Sequence, residues 1–586
     1  MDIKMNKRFE IKNLPDMKTI RQEVDKLTKD LQLGQTLFLK EQGCKTEGEY
    51  KKRCMENGHI MKHSHIGYNT WDTTKECAEK VYLELKKRGS YIDRFGFCLD
   101  TLMGLPEEMR VGQLVGTGLM MRNEDEWKEI GQIVPVQPHC GDNMITTLNG
   151  VENCLNALKA GVTTIGNASH YYTYEWPGVD KEEMRTIDTI KAMGIMGKFS
   201  DIGVLIHSNL DDGYGGQLND LANLAGWSKV ERYYCEELMG GRLAHCYGNL
   251  FSNPINRIIF NRAIWELNKY KTPGSMAYGN TTEFGHDFEV NAGALGSFVL
   301  GDIITQMTAP TGHAVVPIPV SEAVRIPTVE EMVSAHLHVD KLMLKAAPCF
   351  AEYLDWDRIN AEKDLLVACG NLFFERVMNG LDGLGVDTEH PGEIMGAIKS
   401  IGPAQIEEYF GVGKADKEAL RGRIPVKPTD SFKDLSAKAD SIKCQIDGLR
   451  DSLSGIKVIT ATTDVHEFGK QVIKEILLEA GTTVFDLGST VATAEVLDAI
   501  VETESKVVLI STYNGIAYSY GKELLEGMEK RGMKDVGIIM GGLLNEDLDG
   551  DELAEDVSKE LKAMGIHADN VAQDVVKVVK SCICAN

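Results

Sequence analysis

The chain has 586 residues, of which 43% are hydrophobic and 26% charged, and this length predicts about two to four domains rather than one core. Its formal net charge of −24 at pH 7 would repel nucleic acid and anionic lipid, so we expect neither a nucleic acid nor a membrane as a partner. The 13 cysteines include no CxxC pair, and no apolar run reaches the about 18 residues of a membrane span, which predicts a cytoplasmic protein.

The first half of the chain alternates between helical and strand-like patterns. Residues 1–55 are polar, and the spacing of Ile20, Val24 and Leu27 predicts a helical N-terminal segment. In residues 56–420, short apolar runs such as QIVPVQPH and VTTIGN flank helical patterns such as GVENCLNALKAG. Repeated β-then-α units over about 300 residues predict a (β/α)8 TIM barrel with trailing helices.

Polar side chains follow several of the strand-like runs in this region. They are His139, His170, His245 and Glu322. In a barrel the carboxyl ends of the strands form the catalytic face, so these residues are candidates for the active site. The alternative, that polar residues simply end strands, stays open for each of them.

The last part of the chain predicts a separate α/β unit. Residues 421–454 read as a linker, and residues 455–586 as a flavodoxin-like (Rossmann-like) domain. Its predicted strands are continuous apolar runs, which favour a parallel sheet that is covered on both faces. These runs are 456–462, 482–488, 506–512 and 535–542. Ligands bind such sheets at the carboxyl ends of the strands.

The segment after the first of these strands carries the most specific motif of the chain. It reads Asp464-Val465-His466-Glu467-Phe468-Gly469 and resembles the DxHxxG signature of cobalamin-binding domains. The resemblance implies that His466 ligates cobalt from below and that Asp464 accepts a hydrogen bond from its other ring nitrogen. Gly469 would let the helix backbone approach the nucleotide tail of the cofactor. The alternative is a flavodoxin-like domain with a loop histidine.

Later turns of the same unit extend this resemblance. Gly488-Ser489-Thr490 follows the second strand and Gly541-Gly542 the fourth, where the family lines the buried tail. The family often has Ser-x-Leu after the third strand, and this chain has Ser511-Thr512-Tyr513, which keeps only the serine. The cofactor-binding residues implied are Asp464, His466, Gly469, Ser489, Thr490, Ser511, Gly541 and Gly542.

The barrel region resembles the catalytic subunit of glutamate mutase. The stretch VVPIPVSEAVRIPTVEEM (315–332) carries the resemblance, which implies that Glu322 contacts the adenosyl ribose of adenosylcobalamin. A neighbouring lysine of that family would fall near Ile318 and is missing. Here the barrel and the cobalamin domain are fused, a layout similar to that of 2-methyleneglutarate mutase.

The departures from glutamate mutase concern the substrate. Two of its substrate-binding arginines correspond to His65 and His139, a third falls near Gly104, and a substrate-contacting glutamate falls near Asn167. An imidazole is a weaker, titratable partner for a carboxylate than a guanidinium is. Glutamate is therefore not the expected substrate, although Arg94 or Arg110 could supply a charge from another position.

These resemblances predict an adenosylcobalamin-dependent radical isomerase (mutase) that acts on a small carboxylic-acid-like metabolite. His65 and His139 would polarise the substrate or donate protons, and Tyr172, with the aromatic residues around it, would wall the substrate or merely pack a loop. We also expect a homo-oligomer, a dimer or a tetramer. Three alternatives stay open: a radical lyase or eliminase, a corrinoid methyl-transfer protein and a B12 sensor.

Overall fold

The structure is a computed structural model and describes residues 3, 5–6, 9, 11–68, 70–176, 179, 181–417, 419–430, 432–433, 451–464, 468–533, 535–548, 554–568 and 574–584. The chain divides into two compact units. The first consists of Met1–Arg110, Gly118–Tyr172 and Lys181–Asp430. The second consists of Val111–Thr117, Thr173–Asp180 and Ser431–Asn586.

The first unit alternates strands and helices along the chain. Its helices are α1 (Met17–Thr28), α2 (Leu37–Gln42), α3 (Glu47–Asn57), α4 (Trp71–Lys87), α5 (Glu124–Glu129), α6 (Gly150–Lys159), α7 (Glu182–Gly197), α8 (Leu221–Arg232), α9 (Pro254–Leu267), α10 (Phe288–Thr308), α11 (Val329–Lys341), α12 (Ala347–Ala351), α13 (Trp356–Gly383), α14 (Pro391–Ile401) and α15 (Pro403–Phe410). Its strands are β1 (His63–Ile66), β2 (Arg94–Phe97), β3 (Gln137–His139), β4 (Thr164–Gly166), β5 (Leu205–Asn209), β6 (Leu243–Cys246), β7 (Met276–Ala277), β8 (Ala314–Val315), β9 (Lys414–Ala415) and β10 (Arg423–Ile424).

Strands β1 to β8 pair in parallel and in chain order. β1, β2 and β3 form one sheet, β4, β5 and β6 a second, and β7 and β8 a pair. Isolated parallel bridges join these groups at Cys140↔Ile165, Tyr247↔Ala277 and Lys62↔Val315. The pairing therefore runs from β1 to β8 and returns to β1, and a helix follows each strand. The unit has an α/β fold with parallel strands, as the sequence predicts.

Several boundaries follow from local chemistry. α6 ends before Gly161, whose φ of +85° is a conformation that glycine adopts without strain. The run QIVPVQPH yields only the three residues of β3, and Pro135, which precedes this strand, has no N–H to donate to a neighbouring strand. α11 begins with a capping box formed by Thr328 and Glu331.

The second unit is a Rossmann-like α/β domain. Its helices are α16 (Phe468–Glu479), α17 (Thr493–Thr503), α18 (Ala517–Lys530), α19 (Ser558–Ala563) and α20 (Val575–Cys584). Its strands are β11 (Lys457–Thr462), β12 (Thr483–Asp486), β13 (Val507–Thr512), β14 (Gly537–Gly542), β15 (Asn545–Glu546), β16 (Glu555–Asp556) and β17 (His567–Ala568). The main sheet is parallel in the order β12-β11-β13-β14-β17, the flavodoxin-like order with its switch point between β11 and β13.

Both faces of this sheet are covered. Val508 and Ile510 of β13 enter one buried cluster, and Val507 and Leu509 enter another. Because successive side chains of a strand point to opposite faces, the continuous apolar run predicted from the sequence serves two cores. Of the helices that the structure describes, none has the length and apolar character needed to cross a bilayer.

Candidate cobalamin-binding and catalytic sites

Asp464 lies at the carboxyl end of β11. Its Oδ2 accepts hydrogen bonds from the backbone N–H of Tyr513, at 2.6 Å, and from the hydroxyl of Thr463, at 3.3 Å. The residue is 7% exposed, so its carboxylate is held in place by the loop that follows β13. The predicted cobalt ligand His466 lies outside the described residues.

Two of the predicted cofactor glycines lie near the hydroxyl of a third predicted residue, Ser511. A Cβ atom added to Gly469 would lie 4.0 Å from Oγ of Ser511, and one added to Gly542 would lie 3.4 Å from the same atom. Gly542, with φ of +94°, directly follows Gly541 at the end of β14. The start of α16 and the ends of β13 and β14 therefore form a cradle that side chains at these glycines would narrow.

The turn after β12 contributes the fourth part of this site. Thr490 follows Ser489, has φ of +52°, and donates its backbone N–H to the carbonyl of Asp464 at 3.3 Å. Its Oγ1 atom is buried and has no hydrogen-bond partner within the described residues. A buried hydroxyl without a partner beside a cradle of glycines fits the polar nucleotide tail of a cobalamin.

The sequence analysis missed a buried lysine at this site. Lys470 is 3% exposed, and its Nζ donates to Oδ1 of Asp486 at 2.6 Å and to the carbonyl of Gly488 at 3.0 Å. Burial acts to raise the pKa of Asp486, but the ammonium groups of Lys470 and Lys474 hold it below its usual value. Lys470 thus ties the first turn of α16 to the turn that carries Thr490.

Imidazoles from three strands lie together in the first unit. The ring centroids of His63 and His65 on β1 are 4.6 Å apart, and those of His139 on β3 and His207 on β5 are also 4.6 Å apart. His63 and His139 link the two pairs at 5.9 Å. The structure thus brings together the predicted His65 and His139, and adds His63 and His207.

Glycines on the strands provide the space for this cluster, which we call the histidine cluster (His63, His65, His139 and His207). A Cβ atom at Gly96 of β2 would lie 2.7 Å from Nε2 of His63 and 2.9 Å from Cδ2 of His65. A Cβ atom at Gly166 of β4 would lie 2.5 Å from Cδ2 of His207. Any larger residue at either glycine would collide with an imidazole.

The histidine cluster is neutral near pH 7. Burial lowers the pKa of His65 to about 4, with a smaller contribution from the charge of Arg94. Burial and Arg94 also hold the pKa values of His63, His139 and His207 well below the usual range. The imidazoles therefore act through single hydrogen bonds rather than through charge.

Arg94 does not offer its charge to a substrate. Its Nη1 lies 2.6 Å from Oε1 of Glu47 in a pair with no exposed side-chain surface, and its Nε donates to Nδ1 of His63 at 2.9 Å. Nη2 donates to the hydroxyl of Ser275. Arg110, the other candidate from the sequence, donates its Nε to the backbone carbonyl of Leu105. These arginines are engaged within the fold.

Glu322 follows β8 and faces Tyr278. The hydroxyl of Tyr278 donates to Oε1 of Glu322 at 3.4 Å, and the ring of Tyr278 lies 5.3 Å from that of His65. Burial raises the pKa of Glu322 to about 7, and the Tyr278 hydrogen bond opposes this shift. The capping-box residue Glu331 binds Arg325 and Ser321, and so fixes the loop that carries Glu322.

Asn167 is buried at the end of β4. Its Oδ1 accepts hydrogen bonds from the hydroxyl of Ser169, at 2.9 Å, and from the backbone N–H of Asn209, at 2.8 Å. Its Nδ2 lies 3.5 Å from Oδ1 of Asp142. The residue therefore joins the loops after β3, β4 and β5.

Tyr172 is not part of the histidine cluster. Its ring packs against Tyr214 and Trp227, with centroids 4.9 and 5.3 Å away, in the buried core beside α8. These contacts of Tyr172 favour the alternative in which the aromatic residues pack a loop rather than wall the substrate.

Within the described residues, no group of three His, Cys, Asp or Glu side chains is arranged to hold a metal ion.

Comparisons with known proteins identify a family in the second unit. Residues 456–557 match the family of the B12 binding domain. A glutamate mutase sigma subunit from Carboxydothermus hydrogenoformans is 33% identical over 102 residues, 17% of this chain and 72% of the relative. A glutamate mutase sigma subunit from Fusobacterium nucleatum subsp. nucleatum is 27% identical over 107 residues, 18% of this chain and 74% of the relative.

A solved structure, described as a novel cobalamin-binding protein from Desulfitobacterium hafniense DCB-2, covers 36% of this chain at 19% identity. The chain covers 90% of that protein with a TM-score of 0.21. The matched domain and the cradle of glycines define a cobalamin-binding protein. Through its second unit, the chain belongs to the B12-binding family that includes the glutamate mutase sigma subunits. The predicted resemblance to cobalamin-dependent mutases is confirmed.

Proposed function

We propose that the protein is an adenosylcobalamin-dependent radical isomerase, and that β1 to β8 form one closed (β/α)8 barrel with the active site at their carboxyl ends. The observation that carries this proposal is the fusion, in one chain, of a B12-binding domain to eight parallel strands whose pairing returns from β8 to β1. Active sites of such barrels lie at the carboxyl ends of the strands. The substrate would be a small carboxylic-acid-like metabolite other than glutamate.

The residues of the second unit would hold the cofactor. His466 would ligate cobalt, Asp464 would orient that imidazole, and the cradle around Ser511 would receive the nucleotide tail. Thr490 would hydrogen-bond the tail through its otherwise unpartnered hydroxyl. Gly488, held by Lys470, keeps the turn before Thr490 in place.

The residues of the first unit would bind and orient the reactants. Glu322, when ionised, offers two oxygens to the ribose hydroxyls, and Tyr278 orients one of them. His65 and His139 would each make one hydrogen bond to the substrate, because both rings are neutral. Asn167 would hold the loops around them. Bound adenosylcobalamin would supply a carbon-centred radical that abstracts hydrogen from the substrate.

The arrangement favours a substrate other than glutamate. A dicarboxylate is gripped most strongly by bidentate guanidinium groups, and here the corresponding positions are neutral imidazoles. Arg94, whose guanidinium hydrogen-bonds His63 of the histidine cluster, is already paired with Glu47. We further propose a cytoplasmic homo-oligomer that acts on a small molecule, with no nucleic acid or membrane partner.

The test is transfer of hydrogen between cofactor and substrate. The full chain is loaded with adenosylcobalamin deuterated at C5′ and incubated without oxygen with candidate acids and amino acids, and deuterium in the recovered compounds is followed by NMR. The proposal predicts deuterium in both the substrate and a skeletal isomer of it, and loss of this transfer in Glu322→Gln. A product that lacks a leaving group would instead indicate an eliminase, and methyl transfer from methylcobalamin would indicate a corrinoid methyl-transfer protein.

A further inference from the structure

Arg94 has a separate acceptor for each of its three guanidinium nitrogens. Nη1 donates to Oε1 of Glu47 at 2.6 Å, Nε donates to Nδ1 of His63 at 2.9 Å, and Nη2 donates to Oγ of Ser275 at 3.1 Å. His63 and Arg94 are register partners in the parallel pair of β1 and β2, and Ser275 directly precedes β7. Because the side chain of Arg94 has no exposed surface, these contacts hold the guanidinium in one orientation.

The contact with Arg94 determines where His63 carries its proton. A guanidinium group has N–H donors and no acceptor, so Nδ1 of His63 must offer a lone pair to it. An imidazole with a lone pair on one ring nitrogen is neutral and carries its proton on the other. His63 therefore has its proton on Nε2. Burial, and after it the charge of Arg94, also holds the pKa of His63 well below its usual value.

The N–H group at Nε2 of His63 is not used within the described part of the fold. Nε2 is buried and makes no hydrogen bond to any described residue. It faces the space left by Gly96 and lies beside His65, the partly exposed member of the histidine cluster. A buried N–H group without an acceptor is unfavourable. The cluster therefore retains a donor that an acceptor on a bound molecule would satisfy.

Ser275 links Arg94 to a second imidazole. Its hydroxyl accepts from Nη2 of Arg94 and lies 2.8 Å from Nδ1 of His207. Ser275 is fully buried, and within the described residues its hydroxyl makes these two hydrogen bonds alone. The hydroxyl proton has an acceptor only if Nδ1 of His207 offers a lone pair. His207 therefore also carries its proton on Nε2.

His139 has the opposite arrangement of ring nitrogens. Its Nδ1 lies 2.8 Å from the backbone carbonyl of Thr164, and because a carbonyl only accepts, Nδ1 carries the proton. Its Nε2 is then an acceptor, and this atom is buried without a partner among the described residues. The histidine cluster thus combines N–H donors from β1 and β5 with a lone pair from β3. This arrangement departs from the proton-donating role that the sequence left open for His139.

We propose that Arg94 is a positioning residue that sets the protons of the histidine cluster, on Nε2 of His63 directly and on Nε2 of His207 through Ser275. Glu47 holds the guanidinium in place, so Arg94 acts on a bound molecule through the imidazoles and not by direct contact. The inference rests on the proposed function only in treating the histidine cluster as the place where the substrate binds. The positions of the protons belong to the protein itself and are measured without a substrate.

The first measurement is solid-state NMR of the full-length protein, loaded with diamagnetic cobalt(III) cobalamin and labelled with ¹⁵N in histidine and arginine. Chemical shifts distinguish protonated from unprotonated ring nitrogens, and a coupling between two ¹⁵N nuclei reports an N–H···N hydrogen bond directly. Near pH 7 we expect protonated Nε2 and unprotonated Nδ1 in His63 and His207, and the reverse in His139. A coupling should join Nδ1 of His63 to Nε of Arg94. Substitution of each histidine by phenylalanine assigns its signals.

Two variants separate the direct contact from the one through the hydroxyl. Arg94→Met removes the donor to Nδ1 of His63, so this signal should move toward that of a ring nitrogen without a hydrogen bond, and part of the His63 population should carry its proton on Nδ1. Ser275→Ala retains Arg94 and should leave the His63 signals as in the parent. It should change the ratio of the two tautomers of His207.

Arg257→Met is the matched control for Arg94→Met. Arg257 forms an ion pair with Asp302 that is as fully buried as that of Arg94, and among the described residues it makes no hydrogen bond to a histidine. Its removal should therefore disturb packing in the first unit and leave the tautomers of the histidine cluster unchanged. The cobalamin absorbance spectrum and the melting temperature of each variant report whether it is folded.

A proton on Nδ1 of His63 in the parent, or no coupling between this nitrogen and Arg94, would overturn the inference, and neither result depends on whether a variant folds. His63 signals that are the same in folded Arg94→Met protein as in the parent would overturn it as well. An unchanged His207 in Ser275→Ala would overturn the role of the hydroxyl. The expected tautomers would support the inference even if no deuterium moves. Deuterium transfer in a protein with the other tautomers would support the isomerase and contradict the inference.

Discussion

The hydroxyl of Tyr278 lies 3.4 Å from Oε1 of Glu322, and this contact joins the end of β7 to the loop after β8. Burial raises the pKa of Glu322 to about 7, and the Tyr278 hydrogen bond acts in the opposite direction. The pKa of Glu322 therefore lies near neutral pH, so the carboxyl group can change its ionisation there. Its carboxylate is the form that can accept hydrogen bonds at both oxygens.

Turnover should rise with pH through about 7 as Glu322 ionises. Tyr278→Phe removes the hydrogen bond that favours ionised Glu322, so the pH midpoint of this ionisation should move upward. Glu322→Gln should abolish the rise of turnover with pH. The ionisation midpoint of Glu322 is measured by NMR of the protein with ¹³C-labelled glutamate carboxyls. It is then compared with the pH dependence of deuterium transfer. A Glu322 midpoint near the ordinary value, or one that Tyr278→Phe leaves in place, would contradict the assignment.

The same ionisation has a consequence for stability. Because the folded-state pKa of Glu322 is raised, the folded protein holds this proton more tightly than the unfolded chain does. Its contribution to stability is present below the usual carboxyl pKa and is lost as pH rises to about 7. Glu322→Gln should therefore be relatively more stable than the parent at pH 7.5 than at pH 4.5, as measured by urea unfolding at both pH values.

The buried pair of Arg94 and Glu47 should be essential to the first unit. Neither side chain has exposed surface. Arg94→Met leaves the buried Glu47 carboxylate with only the more distant ammonium of Lys51, 3.6 Å away, and should lower the free energy of unfolding by about 3–5 kcal/mol. Lys87→Met, which breaks the exposed pair with Glu84, is the matched control and should change stability little. Calorimetric unfolding of the three proteins makes the comparison; equal melting of the Arg94 variant and the parent would refute it.

Lys470 should contribute to cobalamin affinity by holding Gly488 and, through it, the turn at Thr490. Lys470→Met should weaken cobalamin binding, measured by absorbance titration. Lys474→Met should have a smaller effect, because Lys474 is partly exposed and, within the described part of the chain, its ammonium group contacts Asp486 alone. The fraction of cofactor with histidine bound to cobalt should also fall in the Lys470 variant. Equal affinities in the two variants would show that the contact to Gly488 has no role in binding.

Gly469→Ala tests the cradle without disturbing the fold. Among the residues that the structure describes, a Cβ atom there meets only Oγ of Ser511, at 4.0 Å, so the apoprotein should unfold as the parent does while cobalamin binds more weakly. Gly488→Ala is a different case, because its φ of +92° strains any other residue. It should lower stability as well as affinity. Unchanged cobalamin affinity in Gly469→Ala would show that the nucleotide tail of cobalamin does not bind in the cradle around Ser511.

The second unit could largely be predicted from the sequence, and the reason is physical. The strands β11, β12, β13 and β14 lie within the four predicted apolar runs. The reason is clearest for the central strand β13, which is covered on both faces and so must be continuously apolar. The turns that follow them were recognised by their glycine, serine and threonine residues. β17 was not predicted, since two residues at an edge of the sheet carry no such run.

The candidate site of the first unit could be predicted only in part. His65, His139 and Glu322 were found because they follow strand-like runs or match a motif, but His63 and His207 join them through the register of the strands. The pairing of Arg94 with Glu47 spans 47 residues of sequence, which no local pattern encodes. Nδ1 of His139 donates to the backbone carbonyl of Thr164, which leaves Nε2 as an acceptor, and only the fold brings that carbonyl within reach.

We propose that this chain binds cobalamin with His466 as the lower ligand of cobalt. The most direct measurement is electron paramagnetic resonance of the cobalt(II) form, with ¹⁵N in all protein histidines and ordinary ¹⁴N in the cofactor. A protein imidazole on cobalt gives doublet splitting from ¹⁵N, whereas the benzimidazole of the cofactor gives triplet splitting from ¹⁴N. We predict doublets in the parent protein and their loss in His466→Gly. Triplets in the labelled parent, or doublets that persist in the variant, would contradict the assignment of His466 as the ligand of cobalt.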